Sequence, residues 1–288
     1  MPTDHGGGDP FRHGSFGGKV AVITGGGQGL GEATARLMAA RGAAGLVLVG
    51  RDRVKGEATA ASVAETSDAD VLFVSADLAQ PDAPASVMAT TDERFGRVDA
   101  LVNAAALTVR GSVWDTDAAL WDQMYAVNTR APALLISAAA KIMVREGIEG
   151  SMVNIGSVAA HGGQDFLYPY SASKAALQAI TRNAAFSLMR HRIRINLLQP
   201  GWMNTPGEDA IQKRFHDADD TWLATAEAGL PFGRLIDPAE LARAICFLCS
   251  EESGMMTGSV TDFDQTILGA GAPARPDGNP VWGEGGSA

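Results

Sequence analysis

The chain has only two cysteines, Cys246 and Cys249, among its 288 residues. That excludes a disulfide framework and fits a reducing compartment, so a cytoplasmic location is expected. Two thiols with no second pair also fall short of the four ligands of a structural zinc site, and no metal is expected. The pair lies at an apolar run, Ala244–Leu248, and reads as buried core rather than as a redox CxxC, which normally opens a helix. Positive charge is in deficit: 23 Lys+Arg stand against 33 Asp+Glu, for a formal net charge of −10. This argues against a nucleic-acid or anionic-membrane partner, both of which need basic patches. No apolar run approaches the ~20 residues that would span a bilayer, and the Gly- and His-rich N-terminus does not read as a secretory signal.

What the sequence does have is apolar material, 46% of residues, enough for a sizeable core. Residues 1–17 show no periodicity and are expected to form a disordered or surface leader. The stretch from about Gly269 has the same character, with Trp282 its one anchoring residue. Between them, short β-rich runs alternate with longer Ala-rich ones. The strands are expected at Lys19–Thr24, Leu46–Val49, Val71–Ser75, Ala100–Asn103, Ser151–Ile155, Arg194–Leu198 and Ser259–Phe263. They are continuously apolar, as strands buried on both faces should be. Helices are expected at about 30–42, 52–66, 82–95, 117–145, 169–190, 207–228 and 238–250, the last started by Asp237-Pro238. Strict alternation implies an α/β chain: one domain, about 18–268, with a doubly wound, parallel, seven-stranded sheet and helices on both faces. After Pro200-Gly201 the pattern breaks into a polar, acidic stretch carrying Trp202, Phe215, Trp222 and Phe232. It reads as a substrate lid at about 202–232 or as an ordinary surface helix pair.

Between the first strand and the first helix stands Thr24-Gly25-Gly26-Gly27-Gln28-Gly29-Leu30-Gly31. Glycines let a backbone turn tightly and approach a pyrophosphate, and the helix N-terminus behind them offers free N–H groups and the positive end of its dipole. Strand, loop and helix in this order make a Rossmann-type dinucleotide site.

The spacing T-G-x-x-x-G-x-G resembles the short-chain dehydrogenase/reductase superfamily in its compact one-domain form. The resemblance runs from about Lys19 to Leu268, through Asp77, Asn103-Ala104-Ala105-Ala106, Asn128, Ser157, Tyr170-x-x-x-Lys174 and Pro200-Gly201. Two departures stand out. The usual N-N-A-G is Asn103-Ala-Ala-Ala here, which puts a methyl at Ala106, and the usual D-G-G is Asp264-Gln265-Thr266.

Tyr170 and Lys174 lie four apart at a helix start and project from one face. A free tyrosine, with pKa about 10, transfers protons poorly near neutrality. A neighbouring ammonium and an oxidised nicotinamide are expected to lower that value, making Tyr170 the base for alcohol oxidation or the acid for carbonyl reduction. Tyr168 lacks such a partner, having Ala172 four residues on. Ser157 is expected to bind and orient the substrate oxygen. The resemblance further implies that Asn128 holds a water linking Lys174 to solvent, that Lys174 holds the nicotinamide ribose, and that Thr205 binds the carboxamide. The cofactor wall is expected to include Gly25, Gly27, Gln28, Gly29, Leu30, Gly31, Asp77, Leu78, Asn103, Ala104, Pro200 and Gly201, with Asp77 toward the adenine amino group or capping the following turn.

At the end of the second strand an acid would hydrogen-bond the adenosine ribose and repel a 2′-phosphate. Gly50 stands there, followed by Arg51, which can pair with a phosphate. This favours NADP over NAD, although Gln28 replaces a basic residue common in NADP-preferring relatives and Asp52 is close by.

For the substrate, a small alcohol or carbonyl compound, His161 and Gln164 offer neutral hydrogen-bonding groups. With Asn204, Glu208 and Asp209 they favour a sugar or polyol. Trp114, Trp202 and Trp222 would instead wall a cleft for a cyclic or aromatic ketone. Ala131–Met143 is apolar on nearly every side and Ala172–Leu188 is rich in small residues, so subunit contacts through both are expected, giving a homotetramer or homodimer. Two rival readings are a non-catalytic cofactor-binding regulator, which would not need Asn128, Ser157, Tyr170 and Lys174 together, and a related lyase or epimerase.

Overall fold

A computed structural model describes residues 15–267. The expected tail with Trp282 and the first fourteen residues of the expected leader lie outside them. The strands are β1 (Val20–Thr24), β2 (Gly45–Gly50), β3 (Asp70–Ser75), β4 (Ala100–Asn103), β5 (Ser151–Ile155), β6 (Arg194–Pro200) and β7 (Val260–Phe263). They form one parallel seven-stranded sheet in the order β3-β2-β1-β4-β5-β6-β7. The helices are α1 (Gly29–Ala40), α2 (Arg53–Glu65), α3 (Ala83–Phe95), α4 (Ala118–Tyr125), α5 (Ala131–Arg145), α6 (Tyr168–Leu188), α7 (Pro206–Phe215), α8 (Trp222–Ala228) and α9 (Pro238–Cys249).

Alternate residues of the central strands feed two cores, as the period of a strand requires. Ala21, Ile23, Leu46 and Leu48 pack with Met38 of α1, Val63 of α2, and Leu241 and Ile245 of α9. Val22, Val47, Val49 and Leu101 face Val87 of α3, Leu135 and Met143 of α5. Helix ends follow local chemistry. Asp52 caps α2 by accepting from Lys55 N, α3 stops at Gly96 in the left-handed region, and Asp237 with Glu240 makes a capping box on α9. Cys246 and Cys249 are buried free thiols in the α9 core. Burial pushes the Cys246 thiol up to about 12.

Four expectations are corrected. The leader does not extend through Gly17, because Phe16 is fully buried among α1 and α9 residues and Gly17 bridges to Ala43. The helix expected over 117–145 is three pieces: α4, a π-helical turn at Ala126–Arg130, and α5. Asn128 sits in that turn with its side chain bonded to Leu107, and Pro132 opens α5. The helix expected over 207–228 breaks into α7 and α8, with Asp217 at φ +49° and a turn held by Asp219 between them. Finally, β6 runs past Leu198 to Pro200, which pairs with Phe263, while Gly201 N donates to Phe263 O.

The order of strands reverses direction between β1 and β4, and the crevice beyond their carboxyl ends is where ligands bind in such sheets. The residues of interest gather there.

Candidate active site

One cleft of about 1100 Å³ opens along the carboxyl ends of the strands. Its floor at β1 is the glycine loop. A Cβ on Gly31 would stand 2.2 Å from Gly25 O, and one on Gly25, at φ +70°, would meet Ala105 N at 3.0 Å. Both positions therefore demand glycine. Thr24 Oγ1 accepts from Ala104 N and Ala105 N, which locks the loop to the end of β4. Gln28, the N-cap of α1, makes no side-chain cap, so the first amides of that helix stay free toward the cleft. This cradle fits a pyrophosphate.

Among the expected cofactor residues, Gly25, Gly27, Gln28, Gly29, Leu30, Gly31, Arg51, Asp77, Leu78, Ala104, Pro200, Gly201 and Thr205 line the cleft with Tyr170 and Lys174. Asn103 does not. Its side chain turns into the sheet, where Nδ2 donates to Asn154 Oδ1 at 2.8 Å, and Asn154 in turn donates to Thr181. Asp77 accepts from Ala79 N at 3.0 Å, so it caps the following turn while lining the cleft. Thr205 Oγ1 accepts from Glu208 N as the cap of α7 and keeps its own hydrogen to donate. Ala106 takes an ordinary negative φ and tolerates its methyl. At the far end, Gly50, Arg51, Asp52 and Lys55 lie together. Asp52 is turned to its helix cap, and Lys55 Nζ donates to Gln28 Oε1 at 2.8 Å. Sequence reasoning missed this lysine, although the Asp52 cap signals that α2 turns Lys55 back toward the loop.

Tyr170 is in the first turn of α6 and Lys174 one turn on, both lining the cleft. Lys174 is buried, and its Nζ donates to Ile155 O at 2.7 Å. Desolvation lowers it from its usual 10.5 to about 8. Burial raises Tyr170 above the usual tyrosine value, and Glu208 adds to this, while Ser157 and Arg110 pull it down. The ammonium lies over the ring face, 5.7 Å from its centre, and does not outweigh desolvation. Ser157 lies just after β5 and lines the cleft; its Oγ accepts from Ala159 N at 3.1 Å. Asn128 is fully buried and off the cleft wall. Its Oδ1 accepts from Leu107 N at 2.7 Å, and its Nδ2 donates to Leu107 O and to Ser173 Oγ. It holds the segment after β4 in place.

Of the expected substrate residues, Gln164 and Trp202 line the cleft, and His161 does not. The His161 ring contacts both oxygens of Asp262 at 3.1 Å and Gln199 at 3.0 Å, a network that ties it to β6 and β7. Trp114 is almost fully exposed, and neither it nor Trp222 is on the cleft wall, so the three tryptophans do not wall an apolar cleft. Glu208 lines the cleft, whereas Asn204 and Asp209 do not. The cleft adds residues the sequence did not point to: Arg110, Phe166, Gln212 and His216. No local pattern marks them, because the irregular path after β4 brings Arg110 here.

Among known proteins, a family model described as "Enoyl-(Acyl carrier protein) reductase" matches residues 25–265. An uncharacterized oxidoreductase of Thermotoga maritima is 34% identical over 250 residues, covering 87% of this chain and 97% of that one. The cis-4-hydroxycyclohexanecarboxylate dehydrogenase of Sinomonas cyclohexanicum is 33% identical, covering 87% and 96%. The solved L-sorbose reductase of Gluconobacter frateurii, complexed with NADPH and L-sorbose, has a TM-score of 0.82 at 29% identity, covering 89% of this chain and 98% of that one.

Proposed function

The chain belongs to the short-chain dehydrogenase/reductase superfamily, oxidoreductases of alcohol and carbonyl groups, and from that premise we propose that it interconverts a secondary alcohol and a carbonyl compound with NADP(H). The observation that carries this reading is that Tyr170, Lys174 and Ser157 share one cleft with the glycine cradle. A nicotinamide bound there supplies the hydride acceptor or donor. Tyr170 moves the proton at its hydroxyl. The tyrosine is protonated near neutrality, and burial strengthens that bias, so it stands ready as the acid in carbonyl reduction; in oxidation its phenolate form is the proton acceptor. Ser157 keeps a hydroxyl hydrogen for the substrate oxygen. Lys174 supports charge on the tyrosine and holds the ribose, and Asn128 positions the wall through Leu107.

The choice of NADP(H) is supported by two cations, Arg51 and Lys55, with no carboxylate at Gly50. A polar, hydroxylated substrate of sugar or polyol type is supported by Gln164, Glu208, Gln212 and His216 on the wall. The related protein solved with L-sorbose is consistent with that class. The segment 202–232 is read as the lid, supported by Trp202, Thr205, Glu208, Gln212 and His216 on the cleft wall. A homotetramer or homodimer is proposed through α5 and α6, which leave Leu134, Val144 and Phe186 exposed. A cytoplasmic location is the reading that the two free thiols support. Among the described residues no helix is long and apolar enough to cross a membrane.

The test is turnover of sugars, polyols, cyclic alcohols and their carbonyl forms, followed by reduced-cofactor absorbance with NADP(H) and NAD(H). Turnover of a hydroxylated compound with NADP(H) is expected. Failure of every alcohol and carbonyl with both cofactors would overturn the reading.

A further inference from the structure

Between β4 and α4 the chain runs without regular structure, yet Arg110 on it is firmly held. Gly111 N donates to Phe166 O at 3.0 Å, and Tyr168 N donates to Gly111 O at 2.9 Å. These bonds tie the residue beside Arg110 to the start of α6, two residues before Tyr170. The guanidinium carbon lies 5.2 Å from the centre of the Phe166 ring. Arg110 Nε donates to His216 Nε2 at 3.1 Å, and one terminal nitrogen reaches Thr108 O at 3.4 Å. The side chain is only 15% exposed.

Glu208 forms an ion pair with Arg110 but no hydrogen bond. Its Oε1 stands 3.8 Å from the other terminal nitrogen of Arg110, beyond hydrogen-bond reach. That oxygen already accepts from Trp202 Nε1 at 2.8 Å and Gln212 Nε2 at 2.7 Å. Arg110 is therefore a largely buried cation on the wall of the cleft that holds Tyr170 and Ser157, in a loose ion pair with Glu208 that leaves its second terminal nitrogen without a hydrogen-bond acceptor. A buried donor is costly to leave unpaired, and an anion in the cleft would supply the acceptor. We propose that Arg110 is a specificity residue that receives the carboxylate of a hydroxy- or oxo-acid substrate whose reacting carbon lies at Tyr170. A guanidinium fork matches the two oxygens of a planar carboxylate. The inference deepens the proposed alcohol–carbonyl chemistry and rests on it.

The experiment compares gluconate and β-hydroxybutyrate with their primary amides, which keep the shape and lose the charge. The readouts are steady-state turnover with NADP and, independently of turnover, calorimetric binding to the enzyme. A charge-assisted pair is worth about 1.5–3 kcal/mol, so an acid should exceed its amide by roughly ten- to a hundredfold, through KM rather than kcat. Arg110→Gln should collapse that ratio toward one, and Arg110→Lys should keep part of it. Glu208→Gln should raise the ratio by removing the neighbouring negative charge. Should acids and amides be turned over alike, or should Glu208→Gln lower the ratio, the carboxylate site is overturned while the oxidoreductase reading stands. If nothing is turned over but gluconate binds in an Arg110-dependent way, the anion site stands and the proposed reaction falls. Acid-selective binding that survives Arg110→Gln also overturns the assignment.

Discussion

The Lys174 ammonium stands over the face of the Tyr170 ring, 5.7 Å from its centre. Its hydrogen bond goes to Ile155 O instead. The two side chains touch without a hydrogen bond between them, and both groups are biased toward their neutral forms, Tyr170 upward and Lys174 down to about 8. A positive charge arriving in the cleft favours the phenolate and disfavours the ammonium, so it draws the tyrosine toward the working range.

Tyr170→Phe should abolish turnover and leave cofactor affinity nearly intact. The lost hydroxyl moves the proton, while the ring contributes little to the nucleotide cradle. Positioned acid–base groups contribute about 10²–10⁴-fold. Single-turnover rates and cofactor dissociation constants check this, and a variant keeping more than roughly a tenth of the rate would contradict the range just cited.

Lys174 gives a pH signature in stability. Between pH 8 and 10.5 the unfolded chain holds a proton that the native lysine has released. The unfolded state then binds more protons, so native stability rises with pH across that window, and the burial penalty is fully present below it. Lys174→Met removes the term. Unfolding free energies of wild type relative to the variant, from denaturant titrations, should climb from neutral pH to about pH 10, by an amount on the order of a few kcal/mol at most, taking about 1.4 kcal/mol per displaced pKa unit. Parallel profiles would show that the native lysine is not depressed.

The sheet was legible because β1, β2 and β4 are continuous apolar runs bounded by turn residues, whereas the edge strands β3 and β7 are not buried on both faces; the glycine loop, Ser157 and the Tyr170–Lys174 pair fall at element boundaries where local pattern speaks. What was not legible depended on distant partners. The π-helical turn at Asn128 answers to Leu107, twenty-one residues away. His161 was read from its loop as a cleft residue, but Asp262 and Gln199 capture it. Phe16 carries no periodic signal, and it is buried because the sheet and α1 leave space for it. Arg110 is placed by backbone bonds to Phe166 and Tyr168, which no nearby residue announces.

Gly31→Ala should destabilise the fold and remove cofactor binding. The added methyl would fall 2.2 Å from Gly25 O, a backbone atom that cannot move without opening the loop. Overpacking of this kind costs typically 1–3 kcal/mol. Thermal melts and cofactor titration check it, and a stable variant with unchanged affinity would show that the loop tolerates a displacement the geometry forbids.

The cofactor choice turns on Arg51 and Lys55. Gly50 ends β2 without a carboxylate, Asp52 is committed to capping α2, and Lys55 reaches Gln28 at 2.8 Å. The lysine thus supplies, from α2, the positive charge that the glycine loop itself lacks at Gln28. Each cation is expected to pair with a 2′-phosphate, and NAD(H) offers neither an anion there. Arg51→Ala and Lys55→Met should each weaken NADP(H) binding by roughly ten- to a hundredfold, the span of a charge-assisted bond of about 1.5–3 kcal/mol, and barely change NAD(H). Raising the salt should narrow the gap between the cofactors, because Arg51 is exposed and its interactions are screened. The double variant should bind both cofactors about equally. Dissociation constants for the two cofactors on wild type and all three variants decide the matter. If wild type prefers NAD(H), or if the substitutions weaken both cofactors alike, Arg51 and Lys55 do not read a 2′-phosphate, and the chain uses NAD(H).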